Sequence, residues 1–337
     1  MRVRRRRALG IAGGLGATLL AVVGVALIAL VTPPRPVGAL APDRHHLHVY
    51  EHARWRPFDD GAPPPGSRVV LLVHGLDEPG DIWDDLTPVL ADAGYTPIRF
   101  DYPNDQAVPR SGALLADALG ALRDGRIEHL AIVAHSMGGL VTLDALTRDD
   151  APTRPEVGRL ITIGTPFAGS PWASLRWAGE VREQVQRLTE AGVEGVADLR
   201  RFLDDGEGEA SLDLEPGSPF LTELLARPRP RGLEFTCIRG RLVAPGPGAP
   251  PDLRIIADTL GDGVVPIDSA VLTGVPDVVE LRVNHRAMIR RLPFDPLSPS
   301  SQGGDPTPRA APPPAIPVIL ERLRAGSEHT RPHPTTP

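Results

Sequence analysis

The sequence predicts an α/β fold with a mostly parallel sheet, and three observations lead to this prediction. Of the 337 residues, 41% are hydrophobic and 35 more are glycine, a composition typical of a globular chain. From residue 68 onwards, strand-like segments alternate with helix-like segments. Residues 69–73 and 130–134 are continuous apolar runs, as in strands that are buried on both faces. Such alternation places helices on both faces of the sheet.

The individual elements follow from local hydrophobic patterns. The predicted strands cover residues 46–50, 69–73, 96–100, 130–134, 160–163, 235–239 and 278–283. The predicted helices cover residues 83–93, 111–123, 137–146 and 318–324. Because the first strand alternates polar and apolar residues, we expect it at an edge of the sheet.

The strand–helix alternation stops after Pro166. Residues 172–204 carry apolar side chains at three- and four-residue steps, which is typical of amphipathic helices. We therefore expect one domain over residues 45–325 that contains a helical lid or cap insertion at about residues 170–232. Nine prolines predict an extended linker over residues 293–317, and the last residues, 326–337, are expected to be a disordered tail.

The N-terminal segment has the features of a membrane anchor. Five arginines within residues 1–7 precede 24 uncharged residues, 8–31, which are long enough to span a bilayer. The arginines place the N-terminus in the cytoplasm and predict that the rest of the chain is exported. A small-x-small sequence at residues 39–41 leaves a cleaved signal peptide as the alternative. Residues 32–44 are a proline-rich spacer.

Charge and cysteine content exclude several classes of function. The chain has 36 basic residues, all of them arginine, against 42 acidic residues. Six of the arginines precede Asp43, so residues 42–337 carry a formal charge of −12, which argues against nucleic acid as a partner. The single cysteine, Cys237, excludes an intramolecular disulfide and a cysteine-built metal site. Nothing in the sequence indicates a cofactor or a metal ion.

One serine lies where a predicted strand turns directly into a predicted helix. Ser136 follows the apolar run 130–134 and precedes Gly138 and Gly139. Such a turn exposes the serine hydroxyl above the edge of the sheet, close to the positive end of the helix. These features predict a nucleophile, although a serine at this place could also simply cap the helix.

The sequence around this serine resembles that of the α/β-hydrolase family, especially its secreted lipases and esterases. Residues 134–138 (AHSMG) match the Gly-x-Ser-x-Gly elbow of that family except for Ala134, and alanine is the next smallest residue. The His-Gly pair at residues 74–75 resembles the element of the family that contributes to the oxyanion hole. The resemblance implies that the backbone N–H groups of Leu76 and Met137 form this hole.

The same resemblance implies an acid and a base further along the chain. The family order is serine, then acid, then histidine, and both Asp262 and His285 follow predicted strands. By this match His285 is the general base and Asp262 orients it. Asp258 is a second candidate for the acid. A turn aspartate and a histidine at a helix N-terminus are the non-catalytic alternatives.

The resemblance covers roughly residues 68–292 and implies hydrolysis of carboxylic esters, particularly lipid or acyl esters, through an acyl-enzyme. Thioesterases, acyltransferases and glycolipid deacylases share the fold, and a non-catalytic binding domain is a further alternative. Phe167 is expected near the acyl pocket, and Trp172 is expected to contact substrate at the start of the insertion. The expected partners are a small-molecule or lipid ester substrate and, through residues 8–31, a membrane.

Overall fold

The structure is a computed structural model. It describes residues 45–58, 63–76, 78, 80–122, 127–150, 155–171, 209–291 and 311–329. The predicted anchor, the spacer and most of the predicted insertion, including Trp172, lie outside these residues. Within them, no helix has the length and apolar character needed to cross a membrane.

The described residues form one sheet in the order β2-β1-β4-β3-β5-β6-β7-β8. Its strands are β1 (His46–Glu51), β2 (Arg54–Pro57), β3 (Ser67–Val73), β4 (Thr96–Asp101), β5 (Ile127–His135), β6 (Val157–Ile163), β7 (Glu234–Gly240) and β8 (Asp277–Leu281). Strands β3 to β8 pair in parallel, whereas β1 is antiparallel to both of its neighbours. The predicted mostly parallel sheet is therefore confirmed.

Helices cover both faces of this sheet. They are α1 (Thr87–Asp92), α2 (Val108–Ala121), α3 (Gly138–Thr147), α4 (Glu209–Asp213), α5 (Pro219–Ala226), α6 (Pro251–Leu260) and α7 (Ala315–His329), with 3₁₀ turns at Gly80–Trp83 and Arg286–Met288. In β5, Ile132 belongs to a buried cluster with residues of α2 and α3, while Val133 belongs to a second cluster with residues of α1 and α7. Successive strand residues face opposite sides, so β5 is buried on both faces.

The first predicted strand is not at the edge of the sheet. Strand β2 pairs with β1 and takes that position. The sequence did not predict β2 because this strand has four residues and none of them is buried. The intervening turn uses His52 and Ala53 at φ 51° and 61°, so it lacks the glycine or asparagine that usually marks a hairpin.

Two helices differ from the predictions. Helix α7 begins inside the predicted linker and continues into the predicted tail as far as His329. Pro317 is its third residue, and proline is tolerated in the first helical turn because its missing N–H would have no intrahelical partner there. Helix α6 was not predicted, because a Pro/Gly-rich run precedes it and Ala257 is its one buried residue.

Candidate active site

Ser136 occupies a strained turn between β5 and α3. Strand β5 ends at His135 and α3 begins at Gly138, as the elbow motif predicts. The backbone of Ser136 has a φ of 53°, a left-handed conformation that costs a non-glycine residue about 1 to 3 kcal/mol. Its N–H donates to the carbonyl of Ile163 in β6 at 2.8 Å, which holds the turn against the sheet.

Glycines let the elbow pack directly on the loop after β3. A Cβ atom on Gly138 would lie 2.4 Å from the carbonyl oxygens of both Val73 and His74. A Cβ atom on Gly75 would lie 2.7 Å from the Cβ of Ser136. Contacts this short are possible only for glycine, so these two positions bring the loop after β3, which we call the oxyanion loop (residues 74–76), against the serine.

The oxyanion loop is fixed by side chains from the segment after β4. The hydroxyl of Tyr102 donates to the carbonyl of His74 at 2.7 Å, and the amide of Asn104 donates to the carbonyl of Gly75 at 3.1 Å. Among the described residues, the N–H groups of Leu76 and Met137 donate to no protein acceptor. Both are available for an oxygen atom of a ligand.

Asp262 and His285 form a buried hydrogen-bonded pair. The Nδ1 of His285 lies 2.8 Å from Oδ2 of Asp262. The other carboxylate oxygen, Oδ1, accepts the N–H groups of Val264 at 2.9 Å and Val265 at 2.8 Å. The N–H of His285 also donates to the backbone carbonyl of Asp262 at 3.0 Å. Three hydrogen bonds therefore set the orientation of the carboxylate, and the fourth joins the two backbones.

The imidazole of His285 lies beside the elbow. A Cβ atom on Gly164, the residue after β6, would be 2.9 Å from its Cε1, and the ring centroid of His135 is 4.6 Å away. Burial lowers the pKa of His285, but the charge of Asp262 and its hydrogen bond outweigh burial and raise that pKa above the usual histidine value. The structure thus brings Asp262 and His285 together next to the residues that flank Ser136.

The other candidates from the sequence have different surroundings. Asp258 lies within α6 and forms an ion pair with Arg241, with its side chain 43% exposed. Phe167 is 2% exposed and packs edge-on against Phe235 in the core, at a centroid distance of 6.0 Å. A contact between Phe167 and substrate stays a prediction, as does the role of Trp172.

The sequence patterns do not identify Glu78 and His135 as residues of the site. Oε2 of Glu78 lies 2.7 Å from Nδ1 of His135 and accepts the N–H of Gly75 at 3.0 Å. Nε2 of His135 lies 3.2 Å from the backbone carbonyl of His285. Burial raises the pKa of Glu78, but the charge of His135 and its hydrogen bond outweigh burial and bring that pKa to about 2. The sequence features that could have identified the two residues are their positions: Glu78 follows His74 by four residues, and His135 directly precedes Ser136.

Glu78, His135 and His285 have the donor types of a metal site, and one ligand atom from each lies within 4.8 Å of the others. The contact of 2.7 Å between Glu78 and His135 is a direct hydrogen bond, which leaves no space for an ion between them. The hydrogen bonds of this cluster account for its arrangement without a metal ion.

Comparisons with known proteins agree with this architecture. The model of the Alpha/beta hydrolase family matches residues 70–323. Epoxide hydrolase A of Mycobacterium tuberculosis (strain ATCC 25618 / H37Rv) is 28% identical over 195 residues, which are 55% of this chain and 55% of that protein. The chain therefore spans about half the length of this curated relative.

Two crystal structures of the Bacillus licheniformis lipase BlEst2 are similar to this structure. The mature form has a TM-score of 0.53 and 20% identity, covering 84% of this chain and 99% of that one. The propeptide form has a TM-score of 0.52 and 21% identity, covering 74% and 51%. At this level of identity the likeness establishes a common fold.

Proposed function

Because this chain belongs to the alpha/beta hydrolase family, we propose that it is a serine hydrolase that cleaves carboxylic esters through an acyl-enzyme. The observation that carries the proposal is the buried pair of Asp262 and His285, joined at 2.8 Å next to His135, the residue before a serine held at a φ of 53°. A serine, a histidine and a carboxylate in these roles can generate a nucleophile at neutral pH.

The reaction follows from the roles of these groups. Nε2 of His285 takes the proton of Ser136 as Oγ attacks the acyl carbon. The N–H groups of Leu76 and Met137 donate to the oxyanion of the tetrahedral intermediate. The intermediate collapses, and His285 returns the proton to the departing alcohol. Water then attacks the acyl-enzyme by the same route and releases the acid.

A serine nucleophile favours acyl substrates over epoxides. Attack of Ser136 on an epoxide would leave an alkyl ether on Oγ, and water does not readily cleave an ether. Attack on an ester leaves an acyl group, which the oxyanion donors and His285 can transfer to water. The named activity of the mycobacterial relative is therefore not the one proposed here. Thioesters and acyl acceptors other than water pass through the same acyl-enzyme and are the second class of substrates to test.

A panel of substrates tests the proposal. The full chain is incubated with chromogenic esters of increasing acyl length, an acyl thioester and a styrene-type epoxide, and trapped protein is analysed by mass spectrometry. We expect ester hydrolysis and an acyl group on Ser136. A sharp rise in rate once a long-chain ester exceeds its solubility supports a lipase, whereas simple saturation with a butyrate ester indicates a small-ester hydrolase. Diol formation without ester cleavage would contradict the proposal.

The pH dependence of kcat/KM should report the ionisation of His285. The ring must be neutral to accept the serine proton. Burial lowers its pKa and Arg286 adds to this, but the charge and hydrogen bond of Asp262 together with the charge of Glu78 raise the pKa by more. The net shift is upward, so we expect activity to fall on the acid side with a midpoint above the usual pKa of histidine. The measurement is kcat/KM for a soluble ester between about pH 5 and pH 9. A profile without an acid limb would contradict the role of His285.

We also propose that residues 8–31 anchor the protein in a membrane, with the hydrolase domain outside the cytoplasm. The full-length protein should then remain with membranes after an alkaline wash, while a chain that starts near residue 42 should stay in the supernatant. An N-terminus at Pro42 in native material would instead indicate a cleaved signal peptide.

A further inference from the structure

We propose that Glu78 and His135 are positioning residues, which tie the backbone of His285 to the oxyanion loop through one chain of hydrogen bonds. This inference rests on the proposed function. The chain runs from the N–H of Gly75 to Oε2 of Glu78 at 3.0 Å, from Glu78 to Nδ1 of His135 at 2.7 Å, and from Nε2 of His135 to the carbonyl of His285 at 3.2 Å.

Both partners of the His135 ring are acceptors. The carbonyl of His285 has no proton to donate, and the lowered pKa of Glu78 keeps its carboxyl group ionised. Each ring nitrogen of His135 therefore faces one acceptor, so the position of this one ring sets both contacts.

Each end of this chain of hydrogen bonds reaches a group that must be placed accurately for ester cleavage. Glu78 holds Gly75, the residue before the proposed oxyanion donor Leu76. His135 holds the backbone of His285, while Asp262 holds the ring of His285 through Nδ1. The pair therefore fixes the distance between the general base and the oxyanion hole, and it does not itself transfer protons.

Burial indicates a role beyond stability. His135 is fully buried and Glu78 is 5% exposed. Removing a carboxylate and its polar partner from water costs free energy that their attraction often fails to recover, and apolar side chains of similar volume would serve stability as well. A hydrogen-bonded pair fixes the directions of its contacts, which an apolar pair of the same volume cannot do.

Two substitutions of His135 separate positioning from simple charge pairing. The amide nitrogen of glutamine lies near the position of Nε2, whereas that of asparagine lies near Nδ1. His135→Gln can therefore keep the bond to His285, and His135→Asn can keep the bond to Glu78. We expect kcat to fall in the order wild type, His135→Gln, His135→Asn, with a loss on the order of 10-fold to 100-fold for His135→Asn and little change in KM.

The rates are divided by the concentration of active sites, which is determined by titration with a fluorophosphonate. Misfolded protein then does not lower the apparent kcat. His129→Asn is the matched control, because His129 lies on the same strand and its side chain is 32% exposed. Its kcat should equal that of the wild type. Wild-type kcat in His135→Asn, or a higher kcat in His135→Asn than in His135→Gln, would overturn the proposal.

A measurement on the unaltered protein covers the case in which both variants fail to fold. In protein labelled with ¹⁵N and ¹³C, the ring N–H of His135 should show a scalar coupling across its hydrogen bond to the backbone carbonyl of His285. The absence of this coupling would overturn the proposal. A wild-type protein that never acylates Ser136 would instead refute the proposed function, so the two failures are distinguishable.

Discussion

Replacement of Ser136 by alanine should abolish acyl-enzyme formation and lower kcat for a soluble ester by a factor on the order of 10⁶. The reason is that Oγ of Ser136 is the atom that forms the covalent bond, and no neighbouring group can take its place. Stability should change little, because alanine occupies the same turn and the N–H bond to Ile163 at 2.8 Å is retained. The measurements are burst kinetics and mass spectrometry of the trapped enzyme.

Ser67→Ala is a suitable control for this experiment. Ser67 begins β3, at the end of the strand opposite to the oxyanion loop, and its hydroxyl donates to the carbonyl of Pro64. This variant should acylate and turn over as the wild type does. Labelling of Ser136→Ala by a fluorophosphonate to the wild-type extent would show that another residue is the nucleophile.

The elbow and the central strands could be predicted because their signals are local. The apolar run of β5 ends at Ala134, two residues before Ser136, and Gly138 and Gly139 follow within three residues of the serine. A strand buried on both faces needs such a run, and a tight strand-to-helix turn needs small neighbours. The fold class and the position of the elbow follow directly from these two requirements.

The resemblance favours Asp262 over Asp258 as the acid, but the surroundings of the two carboxylates could not be predicted from the sequence, because they depend on helix α6. Asp258 lies inside this helix, whereas Asp262 follows its end at Gly261. Gly261 has a φ of 52°, and a Cβ atom there would lie 1.9 Å from the carbonyl of Val265. This tight turn sets the direction of the Asp262 carboxylate. Without a predicted α6, the turn could not be located.

The positions of Glu78 after His74 and of His135 before Ser136 do not indicate that Glu78 and His135 pair with each other. The two residues are 57 positions apart in the chain, and each by itself has the appearance of a polar loop or motif residue. A buried charge becomes recognisable only when its partner is known.

Strand β2 could not be predicted because none of its four residues is buried, so its sequence shows no apolar face.

Replacement of Asp262 by asparagine should lower kcat by a factor on the order of 10⁴. The hydrogen bonds of the carboxylate explain why. Oδ1 accepts two backbone N–H groups, from Val264 and Val265, so an asparagine is expected to keep its oxygen at that position. Its NH₂ group then replaces Oδ2 and points a donor at Nδ1 of His285, where the wild-type distance is 2.8 Å.

This arrangement would hold His285 in the tautomer with its proton on Nε2, which cannot accept the proton of Ser136.

The acid limb of the pH profile should also move to lower pH, because Asp262 no longer raises the pKa of His285. Asp258→Asn is the matched control. The carboxylate of Asp258 is 43% exposed and pairs with Arg241, which keeps a second partner in Glu280, so kcat should stay close to that of the wild type. If Asp258→Asn lost activity while Asp262→Asn kept it, Asp258 would be the acid, and the buried contact between Asp262 and His285 would serve only the structure of the loop.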